Sequence, residues 1–232
     1  MTGVPTAAEL LAVVESSPRA TAAHDKAGWV GLFAEDGQVE DPVGSRPHVG
    51  HVQIAKFYDT FIGPRQITFH RDLDIISGTS VIRDLTLEID MGSGIAMTIP
   101  TILRYDVRAD ENPWQIKRLR AYWELPAMVT KFLHNGVRAV PALIGLSAGL
   151  LRNQHLAGTA GFMSGLRGVG NRGKRLLANA RPEYQWDKMI AAGNTVAASV
   201  TTPSGRGVVF AEIARGTIRD ISYFAESATD PT

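Results

Sequence analysis

One carboxylate in this sequence stands where it could act as a base. Asp41 ends an apolar-flanked segment, Val39-Glu40-Asp41, and is followed at once by Pro42 and Gly44, which mark a turn. Beyond the turn, residues 51–61 carry apolar side chains at helical spacing. The pattern predicts a carboxylate at the mouth of an apolar pocket, where a positioned acid can abstract a proton.

An apolar surrounding would change the acidity of that carboxylate. Burial disfavours the charged form, so the pKa of Asp41 is expected to rise above its ordinary value. A base of this kind can move a proton between two carbons of an enone-forming substrate. The alternative interpretation is that Asp41-Pro42 supplies only turn chemistry.

The elements that must position Asp41 are predicted from capping signals and periodicity. Thr6-Ala-Ala-Glu9 forms a capping box that starts a helix over residues 7–17. Pro18 is expected to interrupt that helix and to open a second one, which runs to about residue 34. A short strand over residues 38–41 then leads into the turn, and the helix over residues 51–61 follows it.

An antiparallel meander is predicted after the third helix. The strand-like segments are residues 66–76, 80–90, 95–108 and 114–124, separated by turn sequences rich in Gly, Asn and Asp. Three helices followed by a meander indicate an α+β fold in which a curved sheet wraps around the helices. The pocket would lie between the concave face of the sheet and the helices.

The same residues resemble a known family. The acidic-Asp41-Pro42 turn with Gly44, followed by Gln53-Ile54-Ala55-x-Phe57-Tyr58 on a helix, is similar to the ketosteroid isomerase branch of the NTF2-like (SnoaL-like) superfamily. Arg104-Tyr105 and Arg120-Ala-Tyr-Trp123 match the last two strands of that family. The resemblance covers residues 21–125. It implies an NTF2-like cone of three helices against a curved antiparallel sheet, a pocket without metal or cofactor, and a homodimer paired through the sheets.

The resemblance also implies roles for single residues. Asp41 stands at the position of the general base. The family holds the dienolate oxygen with a Tyr and a protonated Asp, and these positions fall here at Ser17 and Thr101. Thr101 and Tyr58 therefore remain as candidate hydrogen-bond donors, although core packing alone would also explain Tyr58. The candidates for substrate binding are Phe33, Phe57, Asp84, Thr86, Thr98 and Trp123.

Three functions follow from these positions as expectations. The first is cofactor-free proton transfer on a hydrophobic, ketone-bearing molecule of steroid or polyketide type. The second is non-catalytic binding of a hydrophobic ligand or lipid, because Thr101 replaces a stronger acid. The third is epoxide hydrolase or cyclase chemistry, which needs a second pocket acid. Asp84 would supply it if the strand face that Asp84 shares with Thr86 points inward, and would be solvated if that face points outward.

The chain after residue 125 has a different composition. Residues 125–182 contain eight Lys and Arg side chains and no Asp or Glu, and helical pieces are predicted over residues 128–133, 142–151 and 164–180. This basic block, residues 126–182, is interpreted as a solvated helical face or as a peripheral contact with an anionic membrane surface. Binding of an anionic ligand by this block is a third interpretation, and a nucleic-acid partner is not expected.

Short strands are predicted in a third segment, residues 183–228, and they faintly repeat the first sheet. Ile75-Ile-Ser-Gly-Thr-Ser-Val81 is similar to Ile190-Ala-Ala-Gly-Asn-Thr-Val196, and residues 116–122 are similar to residues 218–224. The segment is interpreted as a degenerate half-copy of the sheet. Chance similarity between two hairpins is the alternative.

Composition sets the remaining limits. The absence of cysteine excludes disulfides and thiolate chemistry and favours a reducing, cytoplasmic setting. The first twelve residues lack the basic start of a signal peptide, and the apolar run over residues 139–151 is too short to span a bilayer. No spacing of His, Asp and Glu matches a metal site.

Overall fold

Two β-sheets lie face to face in this chain, and helices pack on the face of each sheet that is turned away from the other sheet. The computed structural model describes residues 5–91, 94–108, 113–134 and 164–226. One core cluster joins the N-terminal helices to the first sheet, a second lies between the two sheets, and a third joins the second sheet to a C-terminal helix. The predicted α+β architecture, with a strand-containing C-terminal extension, is confirmed.

The helices of the first layer differ from the prediction in their bounds. They are α1 (Ala7–Ala22), α2 (Lys26–Gly31) and α3 (Gly50–Phe57), which continues as a π-helix (Tyr58–Ile62). The capping box is present, because the Glu9 N–H donates to Thr6 Oγ1 and the Thr6 N–H donates to the Glu9 carboxylate.

Pro18 does not interrupt α1, so that prediction was wrong. A proline inside a helix lacks an N–H donor and costs about 3 kcal/mol. Here Leu10, Val14 and Thr21 are buried at helical spacing on one face, before and after the proline. Burial of this continuous stripe against the first sheet outweighs the lost hydrogen bond.

The first sheet has six strands in the order β2-β1-β6-β5-β4-β3. Its strands β3 to β6 form the predicted antiparallel meander, but β1 pairs in parallel with β6, with Val39 opposite Leu119. Strand β1 also begins five residues earlier than predicted. The bounds are β1 Phe33–Glu40, β2 His48–Val49, β3 Gln66–Ser77, β4 Ser80–Asp90, β5 Ala96–Arg108 and β6 Gln115–Tyr122.

The second sheet is a four-stranded meander in the order β10-β9-β8-β7. One of its faces packs on the outer face of the first sheet, and Leu177 of α5 is buried against the other. The bounds are α4 Leu125–Leu133, a 3₁₀ turn Ser164–Leu166, α5 Gly170–Ala180, β7 Gln185–Ala192, β8 Thr195–Thr202, β9 Gly205–Ala214 and β10 Thr217–Ala225.

Apolar contacts and one buried ion pair hold the two sheets together. The ring of Tyr122 on the first sheet lies 4.8 Å from the ring of Phe210 on the second, measured between centroids. Asp84, which is 1% exposed, forms an ion pair with Lys188 across the interface. The second sheet thus covers this face of the first sheet, and formation of a homodimer stays a prediction.

The two segment pairs of the faint repeat occupy matching places in the two meanders. Residues 75–81 contain the β3–β4 turn, with Gly78 at a φ of 57°, and residues 190–196 contain the β7–β8 turn, with Gly193 at 53°. Residues 116–122 lie in β6 and residues 218–224 in β10, the last strand of each meander. A common origin of the two sheets stays a prediction.

We expect Lys188→Met to destabilise the protein strongly, because it leaves the Asp84 carboxylate buried and unpaired. Breaking a buried pair on one side typically costs about 3–5 kcal/mol. Adding Asp84→Asn should recover most of that loss. The free energy of unfolding, measured in urea, provides the readout.

Arg206→Met is the matched control, since it breaks another ion pair between the sheets. The side chains of this ion pair, Arg206 and Asp72, are 39% and 55% exposed. The loss in the free energy of unfolding should therefore stay below about 1 kcal/mol. Equal losses for Lys188→Met and Arg206→Met would contradict the buried-pair interpretation.

Candidate functional site

A cavity of about 100 Å³ lies between the inner face of the first sheet and the helices. Its wall is mostly apolar. Side chains from α3 and the π-helix (Phe57, Phe61, Ile62), from β4 (Leu87, Ile89) and from α4 (Met128) contribute to it. Three polar residues complete the lining, Asp41, Arg65 and Trp123.

Parallel pairing of β1 with β6 places Asp41 beside Trp123. Each residue directly follows its strand, and the Trp123 Nε1–H donates a hydrogen bond to Asp41 Oδ1 at 2.5 Å. The turn after Asp41 is fixed by two further bonds. The Val43 N–H donates to the Ala121 carbonyl at 2.8 Å, and the Gly44 N–H donates to the Glu40 carboxylate at 3.0 Å.

The surroundings of Asp41 change its acidity in the predicted direction. Burial raises its pKa from 3.8 to about 6, and the hydrogen bond from Trp123 opposes that rise. A carboxyl group with this pKa is mostly deprotonated at neutral pH, yet it binds a proton far more tightly than a solvated aspartate. This combination is what a general base needs.

The two predicted donors do not reach the cavity wall. Thr101 faces inward on β5, but it is completely buried and its hydroxyl donates to the Ile99 carbonyl at 3.1 Å. Tyr58 packs in the core, with its ring centroid 5.6 Å from that of Trp29. Its hydroxyl is buried without a hydrogen-bond partner among the described residues. The structure therefore places Thr101 and Tyr58 in the core packing and not among the residues that line this cavity.

Three of the predicted substrate-binding residues face the other side of the sheet. Asp84 lies on the outer face of β4 in its ion pair with Lys188, and Thr86 shares that face by strand alternation. Thr98 is exposed and lines a separate groove between α4 and the second sheet. The inward residues of β4 are instead Val81, Arg83, Leu85, Leu87 and Ile89.

The remaining predicted residues lie on the inner side of the sheet. Phe57 and Trp123 line the cavity, and their role in substrate binding stays a prediction. Phe33 is completely buried in the core, 4.9 Å from Trp29 between ring centroids, and does not reach the wall. Of the predicted set, the structure thus brings together Asp41, Phe57 and Trp123.

The sequence prediction missed two arginines on the inner side. Arg65 lines the cavity, and its only sequence signal is a cation shortly after a predicted helix end. Arg83 is 2% exposed and makes two bonds to Asp74, at 2.7 and 2.9 Å, and one to Glu15 at 3.0 Å. Arg83 is thus neutralised beneath the site, whereas Arg65 faces it.

Part of the basic block, residues 135–163, lies outside the described residues, so membrane contact through residues 126–182 stays a prediction. Within the described part, no helix has both the length and the apolar character needed to cross a membrane. The same part of the chain holds no group of three His, Asp or Glu side chains arranged for a metal ion.

Comparison with known proteins places the site in a family context. Residues 14–112 match the family model of the SnoaL-like domain. A Δ5-3-ketosteroid isomerase from Mycobacterium sp. is 30% identical, and the match covers 52% of this chain and 96% of that chain with a TM-score of 0.47.

Two further solved structures are similar to this chain. One is a Mycobacterium tuberculosis protein in complex with estradiol-17β-hemisuccinate, 26% identical, with 51% of this chain and 95% of that chain covered and a TM-score of 0.47. The other is an LEH-like epoxide hydrolase from M. tuberculosis, 17% identical, with 62% and 98% covered and a TM-score of 0.47.

The pKa of Asp41 predicts a pH dependence of stability. The folded chain binds this proton more tightly than the unfolded chain, so as pH rises from about 4 to 6 the unfolded chain loses its proton first and the free energy of unfolding falls. At pH values above the pKa of Asp41 in the folded chain, this fall in the free energy of unfolding reaches about 3 kcal/mol. Asp41→Asn removes the charge and keeps an acceptor for Trp123, so it should stabilise the protein at neutral pH.

Urea unfolding of both proteins between pH 4 and 7 provides the measurement. The difference in unfolding free energy should grow as pH rises through this window. Asp220→Asn, at an exposed position on β10, is the control and should show no such growth. A difference between Asp41→Asn and wild type that does not vary with pH would contradict the burial of a charged Asp41.

Proposed function

Residues 14–112 of this chain are a SnoaL-like domain, and on that premise we propose that the protein binds an apolar, ketone-bearing small molecule and transfers a proton on it, as a ketosteroid isomerase does. The observation that carries the proposal is Asp41, the one carboxylate among the described residues on the wall of a mostly apolar cavity. The substrate class is a steroid or a polyketide-like ketone.

The proton transfer would use the two oxygens of Asp41 differently. Trp123 donates to Oδ1, which leaves Oδ2 to accept the proton from the carbon next to the ketone. The C–H electron pair moves into the ring system and gives a dienolate. Asp41 then returns the proton to a more distant carbon, so that the double bond becomes conjugated with the ketone. Oδ1 accepts from Trp123 in both protonation states, so the carboxyl group keeps its orientation throughout.

The dienolate oxygen would receive little help from hydroxyl groups. The Thr101 hydroxyl is already donated to a backbone carbonyl, and Tyr58 does not line the cavity. Loss of one oxyanion donor lowers a rate by about 10²–10³. We therefore expect a slow isomerase, in which positioning and the base supply most of the acceleration.

The size of the cavity limits how the substrate sits. Pockets for drug-sized ligands usually measure about 300–1,000 Å³, and this one measures about 100 Å³. A ring beside Asp41 fits that space, and the rest of the molecule must extend through the opening. Met91 and Met128 line the wall, and methionine side chains re-pack readily around a ligand.

A second candidate function is binding without catalysis. The observation in its favour is that the two predicted donors, Thr101 and Tyr58, lie away from the cavity wall. It differs from the first in the rate of isomerisation, which should be the same for wild type and Asp41→Asn although both bind the ligand. Hydrolase or cyclase chemistry with two pocket acids loses its second acid, since Asp84 lies on the outer face with Lys188.

The test is isomerisation of a Δ5-3-ketosteroid, followed by the ultraviolet absorbance of the conjugated enone. Wild type should form the enone faster than Asp41→Asn by about 10²–10⁴-fold, the usual contribution of a general base. The value of kcat/KM should rise with pH and level off above the pKa of about 6.

Asp220→Asn is the control and should match wild type. If wild type and Asp41→Asn give the same rate while both bind the steroid, the binding function stands and the isomerase function is excluded.

A further inference from the structure

Arg65 is the only cationic side chain among the described residues that line the cavity. It follows the π-helix by three residues and folds back over the end of that helix. Its Nη1 donates to the carbonyls of Thr60 at 2.7 Å and Phe61 at 3.0 Å. These two bonds satisfy carbonyls that a helix end leaves open, and they fix the plane of the guanidinium.

The guanidinium keeps donors that the protein does not use. Arginine has five N–H groups, and Nη1 accounts for the two bonds to the backbone. Within the described part of the chain, no Asp or Glu oxygen lies within 4.0 Å of Arg65. Burial lowers its pKa, but an arginine stays protonated at neutral pH. A partly buried cation without an acid partner is unusual unless something else supplies the anion.

We propose that Arg65 binds a carboxylate of the ligand, so that the preferred ligand is an apolar acid. This inference rests on the proposed function only in taking the cavity as the ligand site. The planar fork of a guanidinium matches the two oxygens of a carboxylate, which makes such pairs strong and directional. Arg65 would thus determine specificity without taking part in proton transfer.

Arg65 and Asp41 line the same cavity. Asp41 and Arg65 form no ion pair. The acidity of Asp41 is set by burial and Trp123, whereas a nearby cation would lower its pKa. The two charges therefore do not neutralise each other, and the guanidinium keeps donors for an anionic group of the ligand.

Charge balance supports an acidic ligand. With the cavity empty, its wall carries one negative charge on Asp41 and one positive charge on Arg65 at neutral pH. A carboxylate bound to Arg65 has its charge neutralised where it binds, so it does not add an unpaired anion beside Asp41. A neutral ligand would bury the guanidinium further without giving it a partner, which is unfavourable.

The test compares an acid with its ester on the same apolar body. The probes are 3-oxoandrost-4-ene-17β-carboxylic acid and its methyl ester, titrated by calorimetry. Wild type should bind the acid about tenfold or more tightly than the ester, the gain expected from a charge-assisted pair. Arg65→Gln should lose this preference while its affinity for the ester changes less than about twofold. Arg65→Lys should keep part of it, because the charge remains.

Arg219→Gln, at an exposed position on β10, is the matched control and should keep the full preference. Equal affinities of wild type for acid and ester would overturn the proposal. So would an equal loss of both affinities in Arg65→Gln, which would show that Arg65 only stabilises the helix end. If wild type binds neither probe, the ligand cavity itself is wrong and both proposals fail. An acid preference that depends on Arg65, in a protein without isomerase activity, would leave this inference standing alone.

Discussion

The site depends on the parallel pairing of β1 with β6. Asp41 and Trp123 are 82 residues apart. They become neighbours because Glu40, the last residue of β1, pairs with Arg120 near the end of β6. The single N–H donor of Trp123 then holds the carboxylate against an apolar wall. Without this contact the acid would have no fixed direction, and without the wall it would have an ordinary acidity. The chemistry thus rests on one hydrogen bond placed by one strand pair.

Local signals in the sequence predicted the parts of this arrangement but not their assembly. The Asp41-Pro42 turn, the helix after it and the antiparallel meander follow from turn residues and periodicity, which act over a few positions. The parallel pairing of β1 joins distant segments and leaves no local trace. Alternation likewise separated Arg83 from Asp84 on β4, but it could not say which faces inward. That choice is set by partners far along the chain, Asp74 and Glu15 for Arg83 and Lys188 for Asp84.

The C-terminal sheet contributes to the site without touching the cavity. It covers the apolar outer face of the first sheet, which would otherwise be exposed to water. It also braces the turn after Asp41, because Gly44 and Gly193 pack so closely that a Cβ on Gly44 would lie 2.5 Å from the Gly193 Cα. Both glycines have positive φ angles, 95° and 53°, so the contact needs glycine for conformation as well as space. The second sheet therefore helps to fix the backbone that carries the base.

The two inner arginines show how the chain treats buried charge. Arg83 is neutralised by Asp74 and Glu15 in the core, as buried ions generally are. Arg65 receives only two backbone carbonyls, although it is partly desolvated. Among the described residues, the Asp41 carboxylate likewise has no cationic partner. It accepts a hydrogen bond from one neutral donor, Trp123, and burial raises its pKa. Asp41 and Arg65, the two incompletely compensated charges of this region, both line the same cavity. Neither is explained by the stability of the fold, because contacts within the protein do not neutralise them. A ligand that carries both an acidic hydrogen and an anionic group would satisfy both.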